Sequence, residues 1–257
     1  MNILNWRAKQ KLIYFLIVFG VIVGAISFFV YFSLPDPTCV DGKKNGEESG
    51  IDCGGSCDPC VGNVKDVVVL WTRVFKHGEG EGDYEVASLI KNPNLSYSLP
   101  KLRYVFKVYD SSNILVAVRE GETFLNPQDE FVIYETNIDT GKRDAQRALI
   151  EIDVMSEWQY SDKERPTLIV SEKSFSNLPF PTLSVRLTNQ SIFTVKDIFV
   201  NAVLYDVFGN VMAVSSTKVD SISRESDRNI SFTWPDSFLE EPSSNKIFTR
   251  INSFLDD

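Results

Sequence analysis

Residues 102–118 read LRYVFKVYDSSNILVAV, and residues 198–214 read IFVNAVLYDVFGNVMAV. Laid on one another at an offset of 96 positions, they place Tyr109-Asp110 on Tyr205-Asp206 and Ala117-Val118 on Ala213-Val214. Each stretch alternates, stops at Tyr-Asp, crosses a short turn and resumes. Period-two patterning marks a half-buried strand, and a brief break rich in Ser, Asn, Asp or Gly marks a hairpin. A repeat of about 95 residues has the size of a domain and is too long for a solenoid unit. The pair therefore predicts two copies of one β module in tandem.

The surrounding sequence extends the pattern. ALIEIDV at 148–154 puts Ala148, Ile150, Ile152 and Val154 on one face against Glu151 and Asp153, and LSVRLTN at 183–189 alternates in the same way. Further strands are expected near 67–75, 84–90, 102–109, 114–124 and 130–136, then near 168–175, 198–205, 211–218, 229–234 and 246–254. Asn92 and Asn189 each close a strand, and Leu125-x-Pro127 and Ile222-x-Arg224 each precede another. Many short strands separated by turn residues predict a sandwich. The first module is expected over 64–157 and the second over 166–257. Between them, MSEWQYSDKERPT is short and poor in glycine, which predicts a limited range of angles between the modules. The Tyr109-Asp110 and Tyr205-Asp206 pairs read as structural: tyrosine ends the strand, and aspartate opens the turn by accepting from amides two residues on.

Upstream, CVDGKKNGEESGIDCGGSCDPC at 39–60 holds all four cysteines of the 257-residue chain, Cys39, Cys53, Cys57 and Cys60. The chemistry of this stretch depends on its compartment, which the preceding residues indicate. Residues 12–34 contain no charge over 23 positions, enough for a helix to cross a hydrocarbon core of roughly 30 Å. The stretch ends in bulky FFVYFSLPDP without a small-x-small cleavage site, so it reads as an uncleaved signal anchor. Arg7, Lys9 and Lys11 precede it and Asp36 and Asp41 follow it, which puts residues 1–11 in the cytoplasm and the rest outside. Those three are taken from 26 basic residues, so 23 face all 35 acids in the ectodomain, a net charge of about −12. Such a surface argues against nucleic acid as a partner.

Outside the cytoplasm an even number of close cysteines predicts a disulfide-pinned stalk over 36–62. The spacing C-x13-C-x3-C-x2-C has one close pair, where structural zinc uses two. Four cysteines allow three pairings, which spacing does not resolve. Asp41, Asn45, Glu47 and Asp52 alternate with glycines, an arrangement that a calcium ion could use, although it does not match an EF-hand loop. The same residues also form ordinary turns.

Two resemblances follow from these residues. C-x-D-G-x-x-N-G-x-E-x-G-I-D-C-G-G-x-C-x-x-C resembles a short cysteine motif of prokaryotic surface and secreted proteins, which implies an extracytoplasmic location and no particular activity. The two modules resemble FxLYD-type extracytoplasmic domains, small immunoglobulin-like sandwiches. VLYDVFGNVMAV in the second copy matches better than the first, where Asn113 replaces the glycine. That resemblance implies a binding or structural role and brings no catalytic residues. The lone His77 sits in FKHGEGEGDY, expected to be an exposed loop, and neither G-x-S-x-G nor H-E-x-x-H occurs.

The expected fold class is mainly β: two tandem immunoglobulin-like β-sandwiches behind one transmembrane helix and a small cysteine-rich segment. The expected function is non-catalytic binding or adhesion at the cell membrane. The bilayer engages residues 12–34, and the ectodomain engages an unknown protein or glycan. No cofactor is expected beyond possible calcium. The alternative is a structural subunit of an envelope assembly, for which Gly20 and Gly24 form a G-x-x-x-G step on the helix.

Overall fold

The computed structural model describes residues 6–33, 38–48, 50–57, 64–78, 81–161 and 165–254. The chain divides into two compact units, Met1–Cys60 and Val61–Asp257. In the first, helix α1 spans Trp6–Ser33, with no proline inside it and Pro35 and Pro37 just beyond in the sequence. At 1.5 Å per residue its 28 residues extend roughly 42 Å, and it is long and apolar enough to cross a membrane. Its apolar side chains from Leu12 to Phe29 are exposed. A Cβ on Gly20 or Gly24 would meet nothing within 4 Å, so the small-residue step is open. Residue 34 of the expected span lies outside the described residues.

The second unit is built from β1 (Val68–Lys76), β2 (Asp83–Lys91), β3 (Tyr97–Asp110), β4 (Leu115–Leu125), β5 (Glu130–Asp139), β6 (Ala145–Val154) and β7 (Gln159–Tyr160). It continues with β8 (Leu168–Ser176), β9 (Thr182–Asn189), β10 (Val195–Tyr205), β11 (Val211–Ile222), β12 (Asp227–Thr233) and β13 (Ser244–Arg250). All pairings are antiparallel. In the first module, sheet β1-β2-β5 faces sheet β4-β3-β6; in the second, β8-β9-β12 faces β11-β10-β13. The two orders are identical when β1 is laid on β8, so the repeat seen in the sequence is a repeat of topology. Each sandwich closes on its own core, around Phe106, Phe131 and Leu102 in the first and Leu183, Ile198 and Phe232 in the second.

A third apolar cluster joins the modules. Ala87 and Leu89 of β2 and Val132 of β5 pack with Val203 of β10, Val214 of β11 and Phe248 of β13, flanked by Trp71, Phe75, Tyr134 and Tyr205. The outer face of one sandwich thus meets the outer face of the other. β2 is consequently buried on both sides, with Val86 and Ile90 turned to the first core and Ala87 and Leu89 to the shared cluster. Such a strand reads as a continuous apolar run rather than an alternation.

Two local differences from the sequence reading have physical reasons. β3 begins at Tyr97, not near 102, and runs through Pro100, because its pairing with β4 is irregular between Leu99 and Leu102. Proline, which lacks an amide donor, is tolerated at such a bulge. The extra length is paired by the two-residue β7, which had no signal of its own. β13 ends at Arg250 instead of 254, and residues 251–254 leave the sheet to reach the first module.

Gly121 on β4 lies opposite Tyr104 on β3, and a Cβ there would sit 2.2 Å from the tyrosine oxygen and 2.3 Å from Cζ. The ring occupies the space of a side chain while its hydroxyl donates to Glu135 at 2.6 Å. Gly121→Ala is expected to displace the ring and cost about 1–3 kcal/mol, as overpacking does. Thermal unfolding checks this; an unchanged midpoint would contradict the packing.

Candidate functional site

The cysteine segment is organised by hydrogen bonds more than by a core. Among its described residues only Glu48 is buried, and its Oε2 accepts from the amides of Asn45 at 3.2 Å and Asp52 at 3.3 Å. Both oxygens of Asp52 accept from Gly42 N at 2.9 Å. Asp41 accepts from Lys43 N at 2.9 Å and from Asn45 Nδ2 at 2.7 Å, and these bonds, Asn45 first, hold its pKa below the usual carboxylate value. Hydrogen bonds among protein groups hold this turn, and Asn45 Oδ1 is buried in it without a hydrogen-bond partner. Of the oxygen-bearing residues expected around a cation, Asp41, Asn45 and Asp52 take part in it, while Glu47 is exposed and lends only its carbonyl to the close approach of Gly55. A Cβ on Gly55 would lie 2.0 Å from that carbonyl, at a φ of +63°.

Cys39 and Cys57 form a disulfide across 18 residues of sequence. Cys53 is also disulfide-bonded, and Cys60 lies outside the described residues. The cluster of Cys39, Cys57 and Glu48 has the composition of a metal site, but the two sulfurs are bonded to each other and offer no thiolate. Glu48 is one of the oxygen-bearing residues that the sequence places in this stretch, although it lies outside the set expected around a cation. The signal available was its place between Asn45, three residues before, and Asp52, four residues after, whose amides it accepts.

The repeated Tyr-Asp pairs lie at the ends of β3 and β10, with Asp110 the last residue of β3 and Asp206 the first beyond β10. Asp110 Oδ1 accepts from Ser112 N and Ile114 N at 2.9 Å, and Asp206 Oδ1 accepts from Phe208 N and Asn210 N at 2.8 Å. The left-handed position of the second turn is Gly209 at φ +80°, and in the first Asn113 adopts φ +60°. Asparagine is among the few other residues that visit this region readily, so the missing glycine leaves the turn intact. Backbone bonds from Ile114 lead in depressing the Asp110 pKa, and the Asn210 side chain leads for Asp206. Both carboxylates are therefore occupied as turn acceptors.

The two strand-closing asparagines are buried clamps. Asn92 Nδ2 donates to the carbonyls of Tyr97 and Asn126, and Asn189 Nδ2 donates to those of Phe193, Ile222 and Ser223. Each side-chain oxygen accepts an amide two residues on, from Asn94 and Ser191. Of the three N-x-S sequons, Asn94 and Asn189 are thus committed inside the fold, and only Asn229 on β12 is exposed.

The module junction contains a buried ion pair with no signal in the sequence. Arg250, at the end of β13, places Nε 3.1 Å from Asp129 Oδ2 and Nη1 3.0 Å from Thr123 Oγ1. Its guanidinium lies between the rings of Phe124 and Phe131, at 3.7 and 3.6 Å from their centroids. Burial pulls its pKa down to about 10 against the opposing field of Asp129, so it remains charged at neutral pH. Asp129 also accepts from Asn126 and faces Arg165 at 3.5 Å. Beside this pair a cavity of about 690 Å³ is lined by Pro127, Arg165, Leu168, Phe193, Lys196 and Ile251.

His77 follows β1, half-exposed, with Nδ1 2.7 Å from the buried Glu85. Tyr134 hydrogen-bonds the same carboxylate, and burial first, then that bond, pushes its pKa well up. Tyr104 is raised by the same two causes, with Glu135 as acceptor. A raised tyrosine pKa means that the folded state holds a proton that the unfolded chain releases at about pH 10. Stability is therefore full below that pH and falls as the pH rises above it. Urea unfolding between about pH 8 and 11 should show this loss, and Tyr104→Phe should flatten it. Equal slopes in the two proteins would exclude Tyr104 as a source.

No protein-family model matches the sequence, and no curated protein matches it. Among solved structures, the crystal structure of red sea bream transglutaminase aligns with 73% of this chain and 31% of its own length, at 11% identity and a TM-score of 0.22. Similarity at that level carries no argument about fold or activity.

Proposed function

We propose that this chain is a single-pass cell-surface protein with a cytoplasmic N-terminus, displaying two fused FxLYD-type modules for binding or adhesion without chemistry of its own. The observation that carries the proposal is the disulfide Cys39–Cys57, which begins six residues after the end of a membrane-length helix. Disulfides persist in oxidising compartments, which supports an extracytoplasmic position for the segment and all that follows. The basic residues before the helix support the same orientation. The repeated carboxylates serve as turn acceptors, which supports a scaffold over a reaction centre.

Protease added to intact cells carrying the full chain should remove the modules and leave the N-terminus protected. Protection of the modules would reverse the topology. Deleting residues 36–62 is expected to leave the sandwiches folded while reducing partner capture by intact cells; undiminished capture would remove the stalk from the proposal. The envelope-assembly reading rests on the open face at Gly20 and Gly24, and membrane crosslinks that survive deletion of both sandwiches would favour it.

A further inference from the structure

In the second module the loops β8–β9, β10–β11 and β12–β13 lie at one end of the sandwich. Asn177 exchanges hydrogen bonds with Phe238, and Ser243 donates to the carbonyls of Tyr205 and Asp206, so the three loops form one connected surface. Phe238 anchors it by packing on Trp234 and Phe175. On this surface Leu178, Phe180, Val207, Phe208 and Leu239 all face solvent, from 62% exposure for Phe180 to 86% for Phe208 among the aromatic pair. The first module supplies an internal comparison. At the positions equivalent to Val207 and Phe208 its hairpin carries Ser111 and Ser112, and its other two loops at this end read HGEGEG and TGKRD. The same topology thus needs no apolar residue at these tips. Burial on the sandwich does not account for the five in the second copy, which belong to a surface completed by something else.

Charge decides among occupants. Residues 177–181, 206–210 and 234–243 contain Asp206, Asp236, Glu240 and Glu241 and no Lys or Arg. An anionic or zwitterionic lipid surface does not complement an apolar tip ringed by carboxylates, and neither does the same acidic tip of a second copy. The end is also the one remote from where the chain joins the module pair: Lys65 bonds Asn94 in a loop at the opposite end. From these observations we infer that the loop crown of the second module docks a partner protein that offers an apolar pocket rimmed by lysine or arginine. Phe208 is the central anchor, and Glu240 and Glu241 set charge selection. This deepens the proposed binding role and rests on it. Because the loops are tied to one another, little ordering is needed on binding.

The test replaces Phe208 in the full chain with photoreactive p-benzoylphenylalanine, with the equivalent Ser112 as control, and irradiates intact cells. Docking predicts a protein adduct at position 208 and none at 112. Its yield should fall at least tenfold in Glu240→Lys/Glu241→Lys, and likewise in 1 M NaCl, where charge is screened beyond about 3 Å. A lipid adduct would overturn the inference in favour of the bilayer. A protein adduct indifferent to charge, an equal yield at 112, or no adduct would overturn it as well. Capture by whole cells separates this from the broader reading. If Phe208→Ser is captured as well as the natural chain, the crown fails and binding stands; if the natural chain is not captured, the binding role itself fails.

Discussion

Arg250→Ala is expected to destabilise the module pair by about 3–5 kcal/mol, because it leaves Asp129 charged, buried and without its closest cation. For a unit of this size that corresponds to a fall in Tm on the order of 10 °C. The change also empties the space between Phe124 and Phe131 and releases Thr123 Oγ1. Because Arg250 belongs to the second sandwich and all these partners to the first, the loss should separate one thermal transition into two. The double variant Arg250→Met/Asp129→Asn removes both charges and keeps the volume. It should recover a large part of the loss, since an ion pair replaced whole costs far less than one broken. Calorimetry of the three proteins decides the matter. A single unshifted transition in Arg250→Ala would mean that the shared apolar cluster around Val203 and Phe248 holds the modules by itself.

Cys39→Ser should abolish the fold of the cysteine segment while sparing the sandwiches. Closing a loop of 18 residues restricts the unfolded chain by about 3 kcal/mol. Beyond the separate disulfide of Cys53, the segment has little to set against that loss. Val40 and Ile51 are exposed, and Glu48 is its single buried side chain among the described residues. Hydrogen exchange is the appropriate measurement. The amides of Gly42 and Asp52, bonded to Asp52 and Glu48 in the native segment, should exchange at the rate of a free chain in the variant. Protection in β2 and β10 should not change, since they lie in the separate unit Val61–Asp257. Persistent protection of Gly42 would assign the stability to the carboxylate bonds instead.

Much of the β unit was legible because burial on one face leaves a mark in the sequence. β9 alternates in burial from Thr182 to Asn189 as its residues do, and the Tyr-Asp turns repeat because the aspartate acts on amides two and four residues away. The interactions legible in advance are mostly those whose partners are neighbours in the chain. β2 was harder to phase, since apolar residues on both its faces erase the alternation that shows which face is inside. β7 was not legible at all: two residues carry no period, and they pair only because β3 begins early.

By itself the sequence determined the membrane-length helix, the confinement of the cysteines to one segment, the strand content and the duplication of the module. Each of these depends on composition or periodicity over fewer than about 25 consecutive residues, or on comparison of one such stretch with another. Only the tertiary structure decided that Cys39 joins Cys57, that the two sandwiches share a packed face, and that Arg250 is buried against Asp129. Those outcomes depend on which surfaces meet. Arginine in an alternating strand ordinarily reads as a solvated residue, and its counterion lies 121 positions away, so no local pattern records the pairing. The same reason keeps the loop crown out of the sequence: three separate turns become one surface only when the strands between them have paired.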